Sequence, residues 1–186
     1  MRLRSPLRMS VTRRGEKEQR LAEFIGAYFT EVRKVSPRPR SEILLLARSA
    51  ESPVVKALAA HGSDLVTSGF SVRLIVAQTD IETMPRGWTL CDTVEADCEV
   101  RWARNPRLME AHEQLVLGPE TCWIGDSMRR EPTKCDAYEA YVDSCLKTTA
   151  TVVTSFERLW RTCEPLLSRL PMPPITNDSA TIVRRH

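Results

Sequence analysis

Among the side chains able to do chemistry, one imidazole is conspicuously placed. His112-Glu113-Gln114-Leu115-Val116-Leu117-Gly118 and Thr121-Cys122-Trp123-Ile124-Gly125-Asp126-Ser127 read as two short apolar strands joined by a Gly-Pro-Glu turn. His112 opens the first strand, and Gly125-Asp126-Ser127 closes the second. Strand residues two apart share a face, so His112 and Gln114 point the same way. An imidazole there has the chemistry of a nucleophile or a general acid and base. Gln114 beside it donates a hydrogen bond but brings no positive charge. Charge is available nearby: Arg101 and Arg104 end the preceding strand, and Arg129 and Arg130 follow Ser127. These four would form a basic rim suited to a nucleic-acid strand or a phosphorylated small molecule. The competing reading is a solvated surface balanced by Glu99, Glu110 and Glu113.

The elements that position the hairpin follow from periodicity. Leu21, Phe24, Ile25, Tyr28, Phe29 and Val32 recur at helical spacing and predict an amphipathic helix over 16–35, ended by Ser36-Pro37-Arg38-Pro39. Ile43 to Ala47 is a continuous apolar run, the pattern of a strand buried on both faces, and Val72 to Ala77 reads as a second buried strand. Between them Ser52-Pro53 starts a helix that Gly62 is placed to end. Strand, helix, strand predicts a parallel pair with a right-handed crossover. A third strand is expected over 99–103. Residues 138–142 suit a strand or the start of a helix. Asp143 is the expected N-cap of a long helix carrying Leu146, Ala150, Val153, Phe156, Leu159, Trp160 and Cys163. Trp102, Trp123 and Trp160 are expected in the core, and Trp88 in an exposed loop. His61 is explained by the dipole of the helix it ends.

Length predicts one domain: a disordered basic arm over 1–15, a folded body over 16–165 and a flexible tail over 166–186. Eleven Lys and Arg against four Glu give residues 1–40 a charge of +7, so the remainder carries −4 of the net +3. A basic arm on an acidic body can touch nucleic acid, an acidic membrane or a partner, or only aid solubility. No apolar run is long enough to span a membrane, and the Arg-bearing start has no apolar core of a secretory signal. Cysteines 91, 98, 122, 135, 145 and 163 form no Cys-x-x-Cys pair, and His61, His112 and His186 lie at no metal-ligand spacing from them. Neither a metal site nor a disulfide framework is predicted, and a reducing cytoplasm is the expected compartment.

This order of elements resembles one half of a phospholipase D-like unit, whose motif runs His-x-Lys-x4-Asp and then Gly-Ser-x-x-Asn. The resemblance covers about Ser41 to Pro165 and rests on the His112 hairpin together with the strands at 70–76 and 98–102 and the helix ending Ser155-Phe156-Glu157-Arg158-Leu159-Trp160. It implies an α/β fold, a mixed sheet flanked by helices. In active members one His attacks phosphorus, a second protonates the leaving group, and the Lys balances phosphoryl charge. One motif per chain therefore implies a homodimer with two His112 side chains facing across a twofold axis. The departures are chemical. Gln114 holds the Lys position, Pro119 or Gly118 the Asp position, and Met128, Arg129 and Arg130 follow Ser127 without the family's Asn. Arg129 or Arg130 could replace the lost charge, and Glu139 could orient His112, since relatives carry an acidic residue in that region. The expected function is a non-catalytic, dimeric binding or regulatory module for a phosphate-containing ligand, with no cofactor. The alternatives are a metal-independent phosphodiesterase or nuclease using His112, and a nucleic-acid-binding regulator using the basic arm.

Overall fold

The computed structural model describes residues 7–11, 14–34, 42–77, 98–104, 111–128 and 137–166. Eight strands form one sheet in the order β1-β7-β6-β5-β2-β3-β4-β8. They are β1 (Leu7–Val11), β2 (Glu42–Ala47), β3 (Ser71–Val76), β4 (Cys98–Trp102), β5 (His112–Val116), β6 (Cys122–Ser127), β7 (Ala137–Val142) and β8 (Glu164–Pro165). The helices are α1 (Arg14–Val32), α2 (Pro53–Ala59), α3 (Gly62–Ser68) and α4 (Leu146–Trp160). β2, β3 and β4 are parallel; every other pairing is antiparallel. The fold is α/β with a mixed sheet flanked by helices, as the sequence predicts.

The sheet is buried on both faces, which is why β2 reads as an unbroken apolar run. Ile43, Leu45 and Ala47 pack with Leu74, Leu115, Trp123 and Tyr141 under α1 and α2. Leu44 and Leu46 pack with Ile75, Val116, Cys122 and Val142 under α4. α1 inserts Leu21, Ile25 and Phe29, one per turn and all at most 1% exposed. Such burial contributes roughly 1.5–3 kcal/mol per side chain. α4 delivers Val152, Phe156 and Trp160 to the other face.

α4 is also fastened by charge on aromatic surface. The Trp160 indole has the Arg73 guanidinium at 4.2 Å and that of Arg101 at 4.3 Å from its ring centre. Arg73 is paired with Glu157 at 2.6 Å and Glu42 at 3.2 Å. Burial works against its charge, but the two carboxylates outweigh it and raise its pKa.

The structure corrects four sequence expectations. Leu7–Val11, expected within a disordered arm, pairs along β7 as an edge strand. The crossover, expected to hold one helix, holds two: α2 stops before Gly62 as expected, but Gly62 is the buried first residue of α3, which Gly69, at φ 68°, ends in the left-handed region. Asp143 does not cap α4. Ser144 takes φ 58° and Cys145 is the cap residue, its Sγ 3.1 Å from the Thr148 hydroxyl. That contact, first among the causes, lowers the Cys145 thiol pKa. Trp102 is half-buried rather than core, whereas Trp123 and Trp160 are buried as expected. Residues 138–142, left open between strand and helix, belong to β7. Arg129, Arg130, Trp88 and the expected tail beyond Leu166 lie outside the described residues.

Candidate functional site

His112 stands where the parallel strands end. β5 runs antiparallel to β2, with Leu46 opposite Gln114, so the first residue of β5 lies level with the carboxyl end of β2. Open α/β sheets bind ligands outside that end. The hairpin closes through backbone bonds at both ends: Leu117 N–H to Thr121 O at 3.0 Å, and Met128 N–H to Ala111 O at 2.9 Å.

Between Gln114 and His112 the register with β6 slips by one residue. Gln114 faces Ile124, but His112 faces Ser127. A bulge of this kind re-aims side chains, and here it sets the imidazole. His112 Nδ1 lies 2.8 Å from the Gly125 carbonyl oxygen. A carbonyl only accepts, so Nδ1 carries the proton, and Nε2 is left as the basic nitrogen of the neutral ring. Gly125 is required by its neighbour, because the Trp123 ring fills the place of any Cβ there. Trp123 is fully buried, and the Lys17 ammonium lies 5.1 Å from its ring centre.

Gln114 shares the α4 side of the sheet with Val116. Its Oε1 is buried and has no hydrogen-bond partner among the described residues. Ser127 lies directly across from His112, and its N–H donates to Asp126 Oδ1 at 2.8 Å.

Glu139 is elsewhere. On β7 it follows the parity of Tyr141, which packs on the α1 side with Trp123. Its carboxylate takes Lys17 Nζ at 2.8 Å and accepts the Tyr141 O–H at 3.0 Å. The expected Glu139–His112 contact is thus replaced by Glu139–Lys17, and the orienting acceptor of His112 is the Gly125 carbonyl. The same lysine lies 3.7 Å from Glu113. Burial first, and the Glu139 carboxylate next, push the Tyr141 hydroxyl pKa well up.

The expected arginine rim is also rearranged. Arg101 and Arg104 leave from β4, three strands from β5, or about 14 Å at ordinary strand spacing. Arg101 donates to Glu99 at 2.9 Å and to the Trp160 carbonyl at 3.0 Å while covering the Trp160 ring. Arg104 is exposed, near Glu164 at 3.5 Å and over Trp102. The cation that does reach the hairpin was missed from sequence: Arg48, the first residue after β2. Its backbone N–H donates to Glu113 Oε1 at 3.1 Å, and its Nη2 approaches the Ser127 carbonyl at 3.4 Å. No local pattern marks Arg48; only the β2–β5–β6 order does. Among the described residues no group of His, Cys, Asp and Glu could hold a metal ion, and no helix is long and apolar enough to cross a membrane.

No protein-family model matches the chain, and no curated protein matches it. Solved structures do. Nuc from Salmonella typhimurium, described as a phospholipase D family member, is similar at TM-score 0.56 and 11% identity, over 88% of this chain and 100% of that one. NucT from Helicobacter pylori is similar at TM-score 0.55 and 6% identity, over 87% and 99%. TrmBL2, an archaeal chromatin protein with a novel mode of DNA binding, is similar at TM-score 0.54 and 12% identity. That match covers 86% of this chain, which spans only 53% of TrmBL2.

Proposed function

The fold is phospholipase D-like, and on that premise we propose that the chain is a dimeric binding or regulatory module for a phosphate-bearing ligand, held at His112 without turnover. The observation that carries the reading is the contrast between two neighbouring side chains. His112 is oriented by a 2.8 Å contact to the Gly125 carbonyl with Nε2 as its basic nitrogen. Gln114, at the position where active relatives hold a Lys, is neutral and has a buried, unpartnered Oε1. A site can lose its charge-balancing donor and still bind. Catalysis suffers more: removing one such donor lowers rate by about 10²–10³, and a homodimer pairing two His112 motifs would lack two.

The test is hydrolysis of a chromogenic phosphodiester with chelator present and His112→Ala alongside. No turnover above the variant is expected. Turnover that survives chelator and vanishes in His112→Ala would replace this reading with a metal-independent phosphodiesterase or nuclease. Sedimentation equilibrium should give twice the monomer mass. A second reading, nucleic-acid binding, is favoured by the +7 charge of residues 1–40 and the likeness to TrmBL2. It requires salt-sensitive binding that is lost when Arg2, Arg4, Arg13 and Arg14 become Gln, changes that leave β1 intact.

A further inference from the structure

Three residues from three neighbouring strands meet at the open end of the hairpin. Leu46 on β2 faces Gln114 on β5, and continuing that register two residues, just past the end of β2, puts Arg48 level with His112. His112 in turn faces Ser127 on β6. Neighbouring strands lie about 4.8 Å apart, so β2 and β6 are separated by about 10 Å with β5 between them. Arg48 nevertheless brings Nη2 to 3.4 Å from the Ser127 carbonyl. To do so its side chain must cross the end of β5, which is where His112 stands. The half-buried guanidinium and the exposed imidazole therefore share one small region. The contact to the carbonyl is long for an N–H···O bond, and a phosphoryl oxyanion is a stronger acceptor. Gln114 Oε1, two residues along the same strand face as His112, is buried without a partner among the described residues.

We propose that Arg48 is the cation of the His112 site and that, together with His112 and Gln114, it binds a phosphoryl group. This rests on the binding function proposed above and deepens it by naming the group that supplies charge. The family position for that charge, two residues after the His, is neutral here. Arg48 restores it from the neighbouring strand. Guanidinium stays charged at all ordinary pH and offers a planar fork that fits two phosphoryl oxygens. Gln114 can present either end of its amide to a third. Asp126, whose carboxylate accepts the Ser127 N–H, opposes the anion.

Calorimetric titration with inorganic phosphate, and separately with dimethyl phosphate, tests the assignment. The wild-type chain should bind at least one anion saturably. Preference for dimethyl phosphate points to a diester, such as an internucleotide or lipid linkage, and preference for inorganic phosphate points to a terminal phosphate. Arg48→Gln should weaken binding about 10- to 100-fold, the range for a charged hydrogen bond. Arg48→Lys, which keeps charge but loses the fork, should fall between the two. Asp126→Asn should bind more tightly than wild type. The Arg48 bond to Glu113 uses the backbone N–H and survives both Arg48 variants, and the melting temperature of each variant is measured to show that it is folded at the titration temperature. If Arg48→Gln and Arg48→Lys bind as wild type while His112→Ala loses binding, the Arg48 assignment fails and the His112 site stands. If wild type binds neither anion, or binds them unchanged in the Arg48 variants and in His112→Ala, both readings fail.

Discussion

Lys17→Met removes the one ammonium that two buried carboxylates share. The Lys17 side chain is 11% exposed and lies 2.8 Å from Glu139, which is fully buried, and 3.7 Å from Glu113, at 9%. Methionine keeps the stem and its packing over Trp123, so the change isolates the charge. Breaking a buried pair by deleting one partner costs about 3–5 kcal/mol, because the other charge is stranded. Two bonds remain to soften that cost, Tyr141 O–H to Glu139 and Arg48 N–H to Glu113. The low end, about 3 kcal/mol, is therefore expected. For a chain of this size it corresponds to a fall of about 6–12 °C in Tm. Urea unfolding of wild type, Lys17→Met, Glu139→Gln and the double variant completes the cycle. The double variant should recover at least half of the Lys17→Met loss, since both charges are then gone. A Lys17→Met cost below about 1 kcal/mol, or costs that simply add to within about 0.5 kcal/mol, would show that the ion pair is not what holds the start of α1 to β5 and β7.

Two further outcomes follow from the packing. Gly125→Ala should destabilise by about 1–3 kcal/mol or more, because the added methyl meets the buried Trp123 ring. It should also shift the His112 imidazole resonances, since the Gly125 carbonyl orients that ring; unmoved resonances would break the link. Stability should fall as pH rises above about 9. Burial raises the pKa values of Tyr28, Cys122, Tyr141 and Cys163 in the folded chain. In alkali the unfolded chain therefore binds fewer protons than the folded one, and the stability present at neutral pH is lost. A Tm that stays flat from about pH 8 to 11 would contradict the assigned burial.

What the sequence disclosed was set by local pattern, and what it concealed was set by pairing. The hairpin was legible because two short apolar runs and a Gly-Pro turn are local signals. β2 was legible because a strand covered on both faces becomes a continuous apolar run, and β3 because Leu74-Ile75-Val76 forms a shorter one after Arg73. β1 was overlooked although Leu7-Arg8-Met9-Ser10-Val11 alternates apolar and polar residues, because five residues of alternation were outweighed by the Arg-rich composition around them. α3 was hidden because Gly62 reads as the stop of α2 rather than as the start of a second helix. In the fold Gly62 is buried, and the adjacent His61 bridges Asp64, at 3.0 Å, and the Ala22 carbonyl, at 2.9 Å. The place of Glu139 relative to His112 was not readable, because the parity of β7 is fixed only by its register with β6, where Trp123 faces Tyr141. Arg48 could not be found at all. It is far from His112 in sequence, and only the antiparallel placement of β5 beside β2 brings them level.

The strand at the sheet's beginning has a temporal consequence. Leu7 pairs with Tyr141 and Val11 with Ala137. A ribosome adding roughly 5–20 residues per second needs about 7–26 s to supply that partner after β1 has been made. During that interval the parallel core of β2 and β3, whose partners are close in sequence, has time to assemble. β1 then joins after that core, against an edge that β7 has only just formed. Vectorial synthesis thus makes the N-terminal segment a late addition to the sheet, although it is the first strand to be made.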